Sequence, residues 1–112
     1  MSLSDSPSAE LLDSGGPIES VLPGFAPRQE QLQLASAIEQ VIAAGGTLVA
    51  EAGTGIGKTL SYLVPVLKGR DRTIISTGTK TLQDQLYFRD LPVVKKALGS
   101  TLTTALLKGR AN

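Results

Sequence analysis

Eight consecutive residues, Ala52-Gly53-Thr54-Gly55-Ile56-Gly57-Lys58-Thr59, fit the spacing G-x-x-x-x-G-K-[ST], with Ala in the first place. Such a loop wraps a phosphate with successive backbone N–H groups, which is possible only where side chains do not block them. The Lys ammonium then reaches the β/γ-phosphates and the Ser or Thr hydroxyl ligates Mg²⁺. On this reading the Gly53 to Gly57 backbone cradles the β-phosphate, Lys58 neutralises the terminal phosphates and Thr59 holds the metal; Ala52 is small enough to keep the turn tight. A glycine-rich turn without a ligand is the competing explanation, and the flanks disfavour it. An apolar strand-like run precedes the loop and a helix-forming run follows, bringing its positive N-terminal end to the place a phosphate would occupy. These roles describe nucleotide binding and do not choose among kinases, GTPases, transporters and helicases.

Three further segments stand at defined places around the loop. Phe25-Ala26-Pro27-Arg28-Gln29-Glu30-Gln31 precedes a helical pattern; a Gln amide there can both donate to and accept from an adenine edge, and an aromatic can stack on the base. A solvated first-turn Gln31 explains the same residues equally well. Ser76-Thr77-Gly78-Thr79-Lys80-Thr81 joins a predicted strand to a predicted helix, where hydroxyls and free N–H groups can hold a nucleic-acid phosphate. Ordinary helix capping by Thr77 or Thr79 is the alternative. Leu107-Lys108-Gly109-Arg110-Ala111-Asn112 supplies two basic residues after a third predicted strand, and on their own these are as readily explained as solvated charges.

The elements that must position these groups alternate between strand and helix. Pro27 suits a first helical turn, and Gln31, Leu34, Ala35, Ile38, Val41 and Ile42 then recur at helical spacing until Gly45-Gly46, predicting a helix over residues 28–44. TLVAE, residues 47–51, reads as a buried strand entering the loop. Residues 58–67 follow as a helix whose end is blurred by Pro65. RTIIST, residues 72–77, reads as a second strand and residues 79–90 as an amphipathic helix. Pro92 interrupts, residues 93–98 add a turn or two, and TLTTALL, residues 101–107, is a third strand. This order predicts an α/β fold: a parallel sheet with helices on its faces. Residues 1–22, with their Ser, Asp, Pro and Gly, are expected to form a mobile N-terminal tail that drapes over the surface, leaving residues 23–112 as the domain.

Composition narrows the chemistry. In 112 residues, 11 basic and 10 acidic side chains leave a net charge of +1, so phosphate contacts must be local rather than a bulk basic field. There is no Cys and no His, which removes thiol nucleophiles, imidazole bases, disulfides and the usual zinc ligands. No apolar run approaches the about 18 residues of a membrane helix, and the expectation is a soluble, cytoplasmic protein without a membrane partner.

Taken together, FxxRxxQ, EAGTGIGKT, IISTGTKTLQDQLYFRDLP and ALLKGRAN resemble, in order and spacing, the start of bacterial DinG/YoaA-type helicases, most of all the YoaA branch. These are relatives of XPD within helicase superfamily 2, and the resemblance covers residues 22–112. It implies a P-loop NTPase of the RecA-like kind: the N-terminal part of the first motor domain of an ATP-dependent DNA helicase linked to DNA repair. The implied ligands are ATP, Mg²⁺ and single-stranded DNA, with replication or repair proteins as further partners. It also implies that Arg28 and Gln31 belong to an adenine-recognition motif and Ala52 to Thr59 to motif I. Ser76, Thr77, Thr79, Lys80 and Gln85 would belong to motif Ia, which touches single-stranded DNA, with Lys108 and Arg110 as further nucleic-acid contacts.

The chain departs from that pattern in what these residues lack. No DEAH-type run follows the loop to supply a second Mg²⁺ carboxylate and a water-activating Glu, and no cysteine is present for the iron–sulfur cluster that the family carries. The expectation is a truncated segment, at most a weak nucleotide binder and marginally stable, with sheet surface left uncovered. Two other readings stay open at this level. A compact P-loop kinase or small ATPase would need an acidic residue at the end of an apolar strand, whereas Asp71, Asp84 and Asp90 fall in turn or helix contexts. A non-enzymatic nucleotide- or partner-binding module would melt cooperatively and respond to ATP.

Overall fold

The computed structural model describes residues 6–51 and 57–108. Helix α1, Pro7–Leu12, is started by Ser6, whose hydroxyl accepts from the Ala9 N–H at 3.1 Å, with Pro7 in the first turn where its missing N–H costs nothing. Helix α2, Pro17–Val21, repeats the first-turn proline behind Gly16, without a side-chain cap. Helix α3, Gln29–Ala44, ends at Gly45 in a positive-φ conformation (79°), as the Gly-Gly pair foretold. Helix α4, Lys58–Gly69, begins behind Gly57 and carries Pro65 within it rather than stopping there.

Helix α5, Lys80–Gln85, is capped by Thr79 and passes through a π-helical turn, Leu86–Asp90, into α6, Leu91–Leu98. The expectation that Pro92 interrupts the chain is thus corrected. Pro92 has no N–H for the carbonyl four residues back, and the ladder widens so that the Leu91 N–H reaches the Leu86 carbonyl. The helical run therefore continues through the proline. Gly99 (φ 62°) closes α6 with the Ser100 N–H on the Lys95 carbonyl at 2.9 Å and its own N–H on the Lys96 carbonyl at 3.3 Å, a Schellman pattern.

The core is made by helices alone among the described residues. α3 packs on α4 and α1, while α6 packs on α4 and α2. Leu12, Ile18, Leu32, Ala35, Leu63, Val64, Leu67 and Val94 are buried together. The mobile tail expected over residues 1–22 is corrected for residues 6–22: α1 and α2 put Ser8, Ala9, Leu12 and Ile18 into that core. A polar tie reinforces the packing. The Ser6 and Ser36 hydroxyls lie 2.7 Å apart, the Ser8 hydroxyl donates to Glu39 Oε1 at 2.7 Å, and Lys68 Nζ pairs with the same oxygen at 3.0 Å. One carboxylate thereby links α1, α3 and α4.

The strands expected at residues 47–51, 72–77 and 101–107 are not formed: no ladder bonds join them among the described residues. Val49, Ile74 and Leu107 stand 92%, 93% and 89% exposed. The physical reason is that a strand is not a local structure. Its N–H and C=O groups need a neighbour, and a parallel strand needs both faces covered. Apolar, β-branched sequence is present in these segments, but among the described residues none of them is paired with a neighbour. The parallel sheet is therefore absent from the described residues.

Candidate nucleotide-binding site

Gly57 immediately precedes α4. It adopts φ 73° and ψ 43°, a left-handed conformation that favours glycine, and a Cβ there would displace the side-chain amide of Gln31. Its carbonyl accepts from Gln31 Nε2 at 3.3 Å, from Ser61 Oγ at 3.2 Å and from the Ser61 N–H at 3.2 Å. Ser61 Oγ lies equally close, 3.2 Å, to the backbone carbonyl of Gln31. Gln31 is 2% exposed and Ser61 fully buried. The solvated first-turn explanation of Gln31 is thereby corrected: its side chain is held between α3 and the end of the loop. Gln31 Oε1 is buried without a hydrogen-bond partner among the described residues.

The first turns of α3 and α4 thus meet, and their partial positive ends lie in one neighbourhood. Lys58, first residue of α4, is exposed; Thr59 beside it is half-buried, next to Tyr62. Burial pushes the Tyr62 phenol pKa above its ordinary value and the Asp90 charge adds to this, while a hydrogen bond with Thr59 opposes it. Arg28, the residue that starts α3, is exposed and makes no side-chain cap. Ala52, Gly53, Thr54, Gly55 and Ile56 lie outside the described residues, as does Arg110.

The second group of candidate residues is arranged differently. Thr79 Oγ1 accepts from the Leu82 N–H at 3.1 Å and so caps α5, while Thr77 Oγ1 donates to the Thr79 carbonyl at 3.3 Å, a local turn bond. Ser76, Lys80 and Gln85 are exposed along the same stretch. Residues 101–108 lie against it: Gln83 Nε2 donates to the Leu107 carbonyl at 3.1 Å, Tyr87 Oη to the Thr104 carbonyl at 3.4 Å, and Lys108 Nζ pairs with Asp84 Oδ1 at 3.5 Å without a hydrogen bond. Lys108 is therefore brought beside the α5 residues, where the solvated explanation had left it unattached.

The family model for the DEAD/DEAH box helicase matches residues 30–110. The chain belongs to that family. Its fold is accordingly that of a P-loop NTPase. The chain is 57% identical over 97 residues to the ATP-dependent DNA helicase YoaA of Escherichia coli (strain K12), covering 87% of this chain and 15% of that protein. It is 53% identical over 104 residues to YoaA of Haemophilus influenzae, covering 93% and 16%. To the ATP-dependent DNA helicase DinG of Escherichia coli (strain K12) it is 38% identical over 100 residues, covering 83% and 14%. The chain thus spans about 15% of the length of the curated relatives it matches. No solved structure matches it.

In this DEAD/DEAH-family chain Gln31 and the loop were legible in the sequence, whereas Ser61, Gln83 and Tyr87 were not, and Asp84 stood out only as an acidic residue in a helix context. A signal for Ser61 was available. It lies four residues after Gly57, where a serine hydroxyl can reach back to the carbonyl one turn earlier, and it falls among apolar neighbours on a helix. Gln83, Asp84 and Tyr87 meet partners 17 to 24 residues away, which no local pattern announces.

Proposed function

We propose that the chain supplies the nucleotide-binding segment of an ATP-dependent DNA helicase of the YoaA/DinG kind, forming the N-terminal part of a RecA-like motor domain over residues 23–112. The observation that carries this reading is the bonding of Gln31 to Gly57, which joins a base-recognising amide to the end of the phosphate loop. In this proposal Lys58 neutralises the β/γ-phosphates, the backbone from Gly53 through Gly57, with Thr54 and Ile56, cradles the β-phosphate, and Ala52 keeps the turn tight. Gln31 Oε1, buried and unpartnered among the described residues, accepts from the adenine amine, with Arg28 alongside.

Thr59 offers a neutral oxygen of the kind that completes a Mg²⁺ shell made mostly of phosphates and waters, so it fits that ion. Bound Mg²⁺ would neutralise charge on the phosphates. Described residues hold no cluster of acidic, Cys or His side chains suited to a metal. The chain has no cysteine, so these residues do not fit an iron–sulfur cluster and nothing is derived from one.

Ser76, Thr77, Thr79, Lys80 and Gln85, with Lys108 and Arg110, form the proposed single-stranded DNA contact. Thr79 takes the Leu82 N–H for its own cap, so a phosphate here would meet the remaining first-turn N–H groups of α5. The unpaired apolar segments at residues 47–51, 72–77 and 101–107 are proposed strands of the motor-domain sheet. Among the described residues no helix is long and apolar enough to cross a membrane. Thermal melts with ATP and GTP test the reading: ATP should raise the melting temperature more than GTP, and Gln31→Ala should erase the difference. Equal responses in the unmodified chain would contradict the base-recognition role.

A further inference from the structure

We propose that Ser61 is a positioning residue for adenine recognition, its one hydroxyl proton tying the Gln31 backbone to the helix that begins with Lys58 and Thr59. The inference rests on the nucleotide-binding role proposed above and adds a residue to it. Ser61 is fully buried, and a buried hydroxyl is costly unless it is bonded. Two carbonyls face it at 3.2 Å each: Gly57, one turn back on its own helix, and Gln31, 30 residues away on α3.

The bond to Gly57 alone would be the common back-bond of a helical serine. Two features make the Gln31 contact the consequential one. The Gly57 carbonyl already has the Ser61 N–H and Gln31 Nε2 as donors, so the hydroxyl is surplus there. Pro65, four residues after Ser61, has no N–H to give the Ser61 carbonyl, so the α4 ladder is interrupted at this turn. The Ser61 side chain adds a bond to α3 at the turn where that ladder is interrupted.

Gln31 is thereby held twice, by its amide on Gly57 and by its backbone through Ser61. Both restraints act on the distance between the base-reading side chain and the phosphate loop. Losing Ser61 leaves the loop intact but frees Gln31 to shift, so adenine recognition weakens while phosphate binding persists.

Competition of ATP and of inorganic tripolyphosphate against a fluorescent ATP analogue, on the 112-residue chain, reads this directly. Ser61→Ala should weaken ATP by about three- to tenfold, the worth of one buried hydrogen bond, with tripolyphosphate changed less than about twofold. Ser61→Thr, which keeps the hydroxyl, should restore the ATP preference. In a Gln31→Ala background Ser61→Ala should cause no further loss of it. Equal weakening of ATP and tripolyphosphate by Ser61→Ala, or an independent further loss on Gln31→Ala, would overturn the inference while leaving the nucleotide-binding role standing. An unmodified chain that prefers ATP no more than tripolyphosphate would overturn both. Should Ser61→Ala not melt cooperatively, Ser61→Cys, isosteric and a weaker donor, is judged by the same ratio.

Discussion

At the scale of single residues, Gly57 and Glu39 carry the sharpest expectations. Gly57 combines a left-handed backbone with a close neighbour, the Gln31 amide, which a Cβ would have to displace. Gly57→Ala should destabilise the chain by about 1–3 kcal/mol and abolish any ATP response, read by melting with and without nucleotide. Glu39 acts on stability alone. Burial works to raise its pKa, but the Ser8 hydroxyl and the Lys68 ammonium outweigh burial and hold the folded value below the ordinary carboxylate value. A depressed folded pKa contributes stability above the unfolded pKa, and that contribution is lost as pH falls through the folded value. Melting temperature should therefore fall in the acid range. Glu39→Gln should flatten that fall and cost at most about 1 kcal/mol at neutral pH, since Lys68 is partly exposed.

Elements divide by how local their causes are. α3 was legible almost to the residue, because Pro27, the helical recurrence of apolar positions and Gly45-Gly46 all act within the segment. α1 and α2 were missed for the opposite reason: Ser- and Pro-rich composition reads as loop, although Ser6-Pro7 is itself a cap followed by a first-turn proline. The helix over residues 79–90 was foreseen, but its π-helical passage past Pro92 depends on a carbonyl left without a donor. The three apolar segments were legible as strand material and not as strands, since pairing lies outside any one segment. Of the site, Gln31 and the loop were legible, while its buried bonds to Ser61 were not. Thr79 offers a test at this scale. Thr79→Ala should cost about 0.5–2 kcal/mol and lower helicity by circular dichroism, and Thr79→Ser should not.

At the scale of the whole molecule, the described residues form a helical core that carries apolar segments unpaired among them. Val49, Ile74 and Leu107 are almost fully exposed, and Leu34, Ile38, Ile42 and Tyr62 line an apolar hollow with Leu48 and Ala50 on the outer side of α3 and α4. Such surface is suited to strand pairing or to a sheet packed on the helices, and in isolation it favours association. Ile74→Lys should lower concentration-dependent light scattering without lowering the melting temperature, because Ile74 contributes nothing to the core. The N-terminal ends of α3 and α4 are proposed to form an ATP site whose phosphate contact is Lys58. Isothermal titration of the chain with Mg²⁺-ATP, beside Lys58→Ala, tests this most directly. Saturable binding that Lys58→Ala abolishes is the result predicted, and equal binding by both proteins would contradict it.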